Sequence, residues 1–174
     1  MKQIIGLVLT SLLFVSSLLA QDKGAAALAA AGCGPRDAQF NVKNDGKQHP
    51  LPQPEPGKAT VVVLSQFGVC IGCKNILRVG IDGAWVGANN GHSYLFSSVE
   101  TGDHRVCVAY QSSLKRRAET ASALTVTAVP GTVYYLLVRP SSDGLKLKAV
   151  DSAEGPILTK SAAHSISEPK KPAA

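Results

Sequence analysis

The residues best equipped for chemistry are Cys70 and Cys73, spaced as Cys70-Ile-Gly-Cys73. C-x-x-C is the spacing of thiol–disulfide oxidoreductases, in which a helix N-terminus lowers the pKa of the first thiol. That chemistry needs a strand, a loop and then a helix. Here Lys74-Asn-Ile-Leu-Arg-Val-Gly-Ile81 leads into a strand and a hairpin, so the expectation is a structural disulfide, with an oxidoreductase as the alternative. Lys74 occupies the position that the axial histidine of a c-type haem site would need. A zinc site would draw on Cys70, Cys73, Cys107 and one of His92 or His104. Thiolates in an oxidising compartment become disulfides first, so no metal and no cofactor is expected.

The chain has four cysteines, Cys33, Cys70, Cys73 and Cys107. An even number in an exported chain reads as two disulfides. Three pairings are possible and the sequence does not choose among them. The preferred one joins Cys70 to Cys73 locally and Cys33 to Cys107 over a long range, pinning the N-terminal segment to the domain. None of the histidines (His49, His92, His104, His164) has a paired metal-binding spacing, and His104 reads as a strand-edge histidine bonded to backbone or water. There is no G-x-S-x-G elbow and no carboxylate pair of glycosidase type. The expectation is a protein that is not an enzyme.

Two features could bind. The segment from Trp85 to Tyr94 gathers Trp85, Asn89, Asn90, His92 and Tyr94, the mixture of aromatic rings and amides used by carbohydrate-binding surfaces. The plainer reading has Trp85 and Tyr94 packing and Asn90-Gly91 turning. Lys115-Arg116-Arg117 is a dense basic cluster, suited to anionic lipid or polysaccharide, or simply solvated as a loop. Lysine and arginine total 18 against 12 acidic residues, a formal charge of +6. That basicity attracts anionic surfaces in general. Aromatic residues are only 5% of the chain, too few to line a stacking groove, so nucleic acid is not an expected partner. Envelope polysaccharide, anionic lipid or another envelope protein are.

The compartment follows from residues 1–20. Met1-Lys2 is a short positive start, Ile4 to Ala20 is apolar apart from a glycine and a few hydroxyls, and Gln21-Asp22-Lys23 turns polar at once. This is the pattern of a cleavable secretory signal, cut near Ala20, in a protein that is periplasmic or extracellular. The apolar run is at the short limit for a transmembrane anchor. Ala30-Ala31-Gly32-Cys33 resembles a lipidation box, but it lacks the usual leucine and is separated from the apolar run. Attachment through Cys33 is therefore the less favoured mode.

The elements that would position these residues are strands. Residues 21–57 read as an alanine-rich leader and a proline-studded extended arm, with His49-Pro-Leu-Pro-Gln-Pro-Glu-Pro-Gly57 in polyproline-like form. Residues 58–163 read as the domain, an all-β, compact antiparallel β-sandwich of about seven short strands. Ala59 to Phe67 is rich in β-branched residues and predicts a central strand. Leu77–Ile81, Asp82-Gly83 and Ala84–Val86 predict a hairpin on a type I′ turn. Its register sets Ile81 opposite Ala84, Gly80 opposite Trp85 and Val79 opposite Val86. Further strands are expected at 93–97, 104–110, 123–129, 132–138 and 145–149. Pro130-Gly131 forms a type II turn, and Lys146 and Lys148 face out. A short helix is expected within 152–163, started by Ser152. Residues 164–174 read as a disordered tail.

Several stretches between Cys33 and Ser161 resemble an uncharacterised family of small exported bacterial proteins and lipoproteins, the domain of unknown function 2846. They are Cys33-Gly-Pro, Phe40-Asn-Val, His49-Pro, Pro54-Glu-Pro-Gly-Lys-Ala59, Arg78 to Asn89, Ser93-Tyr94, Val99 to His104 with Cys107, and Gly131-Thr-Val-Tyr-Tyr135. The order strand, Asp-Gly, strand and then Gly-x-His also resembles the PEGA-type β domain. The resemblance implies a sandwich fold and a non-catalytic role in the envelope.

Overall fold

The computed structural model describes residues 28–47, 49–67, 75–112 and 120–171. The signal, most of the leader, Cys70, Cys73, Lys115, Arg116, Arg117 and the last three residues lie outside the described residues. After a helical turn at residues 28–30, the elements are β1 (Phe40–Asp45), β2 (Ala59–Ser65), β3 (Ile76–Ile81), β4 (Ala84–Asn90), β5 (Ser93–Val99), β6 (Gly102–Tyr110), β7 (Ala121–Ala128), β8 (Val133–Ser141), β9 (Gly144–Val150), α1 (Glu154–Ser161) and β10 (Ala163–Pro169). Six strands form one sheet in the order β1-β10-β5-β2-β8-β9, and four form a second in the order β4-β3-β6-β7. The chain is mostly β, as expected. The described residues contain ten strands rather than about seven, and the larger sheet is mixed rather than antiparallel. β2 pairs parallel with β8, and β10 parallel with β5.

β2 sits mid-sheet, and all seven of its residues are buried. Ala59, Val61 and Val63 face the second sheet and meet Leu77, Val79, Val106 and Val108 in the main core. Val62 and Leu64 point the other way, into a second cluster with Tyr94, Tyr135 and Leu137. A strand covered on both faces needs a continuous apolar run, which is why this segment does not alternate. Each fully buried valine contributes roughly 1.5–3 kcal/mol.

The Asp82-Gly83 turn forms as predicted, with φ of 51° and 83° at its two residues. Ile81 faces Ala84 and Gly80 faces Trp85. The third pair differs: a bulge between Val79 and Gly80 sets Val79 opposite Gly87, not Val86. Val86 is consequently 42% exposed, because one extra residue reverses which side faces the core. The Pro130-Gly131 turn, with φ of 74° at Gly131, carries the chain from β7 in the smaller sheet to β8 in the larger one.

The two unexpected strands are partners. β1 lies within the proline-rich arm and β10 within the supposed tail, and they pair antiparallel from Phe40↔Pro169 to Asp45↔His164. Neither has an apolar alternation strong enough to read as a strand. Their support is tertiary. Ser165 donates from Oγ to Ser93 Oγ (2.8 Å), fixing β10 to β5. Ser167 Oγ accepts the Ala88 N–H (3.0 Å) across to the smaller sheet. That contact needs the bare Cα of Gly87, where a Cβ would lie 2.7 Å from Ser167 Oγ.

The helix is present, but its start is not the predicted one. Asp151 Oδ1, rather than Ser152, accepts the N–H groups of Ala153 (2.9 Å) and Glu154 (2.7 Å), two of the donors a helix start leaves unpaired. Cys33 and Cys107 form a disulfide with Cα atoms 5.4 Å apart, the long-range tie that was preferred from the sequence.

Candidate functional site

The outer face of the larger sheet carries the second apolar cluster, and two segments partly cover it. One is the strap His49-Pro50-Leu51, which packs Leu51 on the cluster. The other is α1, which lays Leu158 on it. Gly155 of α1 sits flush on the Tyr135 ring, with no room for a Cβ. Between strap and helix lies a cleft of about 390 Å³, with Tyr94 and Tyr135 at its base and Pro156, Thr159, Lys160 and Ala162 along the helix side. Its size falls in the usual range for small-molecule sites, roughly 300–1,000 Å³.

The strap is held by a small polar and aromatic assembly. Tyr94 donates from Oη to the His49 carbonyl (3.1 Å), and His49 Nε2 lies 3.0 Å from Asp45 Oδ2. The His164 ring stacks on Phe96 (5.4 Å between centroids, planes 16° apart) and is also flanked by Tyr94 at 5.3 Å and His49 at 5.1 Å. Burial, reinforced by neighbouring His49, holds the His164 imidazole below its ordinary pKa, with Asp45 opposing. Burial also raises the phenols of Tyr94 and Tyr135, so both remain neutral donors. The cleft therefore offers aromatic faces, phenolic hydroxyls and apolar walls.

The five residues expected to form a carbohydrate surface do not meet on one face. Trp85 is half-buried on the smaller sheet, where its Nε1 donates to the Pro35 carbonyl (2.6 Å). Its ring covers Gly34 and Gly80 and stacks on the Arg78 guanidinium (4.5 Å). Asn89 is fully buried, donating from Nδ2 to the Val63 carbonyl (2.9 Å). Asn90 turns the chain through a bond from its N–H to Ser93 Oγ (3.1 Å). His92 approaches Ser161 Oγ at 3.5 Å. Tyr94 faces the cleft on the other sheet. His104, expected to bond backbone or water, bonds the Glu100 carbonyl (2.8 Å) and also the Asp82 carboxylate (2.6 Å). That carboxylate raises the His104 pKa. Cys107, in its disulfide, is not a thiolate for zinc.

The sequence reading missed His49, His164 and Tyr135 as neighbours of one site, and Arg78 as a clamp. Arg78 is 2% exposed and donates to the carbonyls of Arg36 (2.6 Å), Ala38 (3.0 Å) and Tyr110 (3.2 Å), tying the N-terminal arm to β6. A charged residue inside the apolar Ile76–Ile81 run was the available signal, since a buried guanidinium requires acceptors. Among the described residues no helix is long and apolar enough to cross a membrane. No family model matches the chain, and no curated protein matches it.

Proposed function

We propose that this chain is an exported, non-enzymatic β-sandwich module of the bacterial envelope or periplasm, and that it binds a small ligand in the cleft between the proline strap and α1. The observation that carries the binding reading is the cleft itself: about 390 Å³ over two tyrosine rings, walled by a strap that side chains fasten in place. A preformed apolar pocket with a few convergent polar groups is the usual form of a binding site. Export is supported by the signal-like residues 1–20 and by the Cys33–Cys107 disulfide. The envelope assignment rests on the resemblance to the exported family and the PEGA-type domain.

The test is an amide-detected NMR screen of residues 21–174 against aromatic and aliphatic fragments. Binders should shift Leu51, Tyr94, Tyr135, Thr159 and Ala162 together, and Ala162→Trp, which fills the cleft mouth, should abolish those shifts. Hits that map elsewhere, or survive Ala162→Trp in a folded variant, would overturn the cleft as the site. N-terminal sequencing of the exported protein should find a start near Gln21.

A further inference from the structure

The hairpin β8–β9 forms one edge of the six-stranded sheet, and its outer face carries an unusual set of charges. Arg139 on β8 lies directly opposite Lys146 on β9, and Lys148 lies opposite Leu137, one step along the same face. With Pro140, these residues line a groove of about 230 Å³, floored by Leu137, which is only 1% exposed. Three cations therefore surround one concavity that has no acidic residue in its wall. Among the described residues none of the three is in an ion pair.

Lysines on an edge strand have a familiar use, since they discourage edge-to-edge aggregation. That use accounts for Lys146 and Lys148 on β9. It does not account for Arg139, which is on the interior member of the hairpin and faces Lys146 directly, a placement that destabilises a sheet. Nor does it account for Gln66, whose Oε1 accepts the Arg139 Nε–H at 2.6 Å. That bond holds the guanidinium through Nε and leaves its terminal nitrogens without a hydrogen bond to the described residues, on a side chain that lines the groove. A guanidinium held through Nε, with two exposed ammonium groups beside it, matches the oxygens of a tetrahedral anion.

We infer that Arg139, Lys146 and Lys148 form a binding site for a phosphate group, separate from the cleft between strap and α1. The groove is smaller than the roughly 300–1,000 Å³ of ordinary small-molecule pockets and suits one charged group on a shallow apolar floor. Like-charge repulsion across the hairpin is relieved when the anion enters. The phosphate can belong to a lipid headgroup or to a soluble phosphate compound.

The experiment titrates the full mature chain with inorganic phosphate at constant ionic strength, following the amides of Arg139, Lys146 and Lys148 by NMR. A parallel arm sediments the protein with phosphatidic acid or phosphatidylcholine vesicles. Saturable shifts, or sedimentation with phosphatidic acid alone, are expected. Arg139→Gln and Lys146→Ala should each weaken binding at least tenfold. Lys43→Ala, which removes an exposed cation on β1 at the other edge of the sheet, should change it less than twofold. Binding of inorganic phosphate identifies the free anion as sufficient, and binding of vesicles alone identifies the lipid. Non-saturating shifts with phosphate together with no preference for phosphatidic acid vesicles, or equal losses in Lys43→Ala, would overturn the site. So would folded Arg139→Gln and Lys146→Ala proteins that bind normally and only aggregate, which would leave the lysines as edge protection.

Discussion

Two histidines with opposite environments set the residue-scale behaviour. The His104 imidazolium gains the Asp82 carboxylate, so its folded pKa is raised. Its contribution to stability is complete below the unfolded value of about 6.5 and is lost as pH rises through the raised folded value. His164 is the reverse case. Burial among Phe96, Tyr94 and His49 depresses its pKa, so its contribution is complete above about pH 6.5 and is lost as pH falls through the depressed folded value. NMR titration should find His164 titrating well below His104, and Asp82→Asn should return His104 toward its ordinary value without moving His164. Coincident titration of the two histidines would contradict this arrangement. Both residues are plain in the sequence, but their environments are not. Asp82 was read as a turn former and also serves as the histidine's partner, while the neighbours of His164 come from β1, β5 and the strap.

At the scale of elements, local signals succeeded where one short stretch suffices to decide the structure. The β-branched run of β2 and the Asp82-Gly83 turn both formed as read, as did the indole of Trp85 over Gly80. Failures came where the deciding partner is distant. β10 has little apolar alternation and exists because β1 pairs along it and Ser165 bonds Ser93. The bulge at Val79/Gly80 breaks the β3–β4 register while β3 pairs with β6 on its other edge without interruption. The start of α1 was expected at Ser152, but the helix begins at Glu154 and the side chain that caps it is Asp151, which gives a quantitative expectation. Asp151 accepts two N–H groups, and those bonds also lower its own pKa. Asp151→Ala should cost about 1 kcal/mol by urea unfolding, whereas Ser152→Ala should be close to neutral. Equal effects would mean that Ser152 shares the cap.

At the scale of the whole molecule, the disulfide and the Arg78 clamp both secure the N-terminal arm to the smaller sheet. The Cys33–Cys107 bond spans a sequence separation of 74 residues, so in the chain-entropy description it stabilises by about 4 kcal/mol. Replacing both cysteines by alanine should lower the urea unfolding free energy by that order, and an unchanged midpoint would show that the clamp alone suffices. The sequence by itself determined the predominance of strands, the buried run of β2 and the tight hairpin turn, because each rests on residue types within a few positions of one another. It also offered the correct Cys33–Cys107 pairing as one of three. Only the tertiary structure decided that arm and tail pair as strands, that Trp85 and Tyr94 belong to different sheets, and that His49, Tyr94, Tyr135 and α1 surround one cleft. Those outcomes depend on contacts between segments far apart in the chain, and the closure of such contacts leaves no periodicity in the sequence.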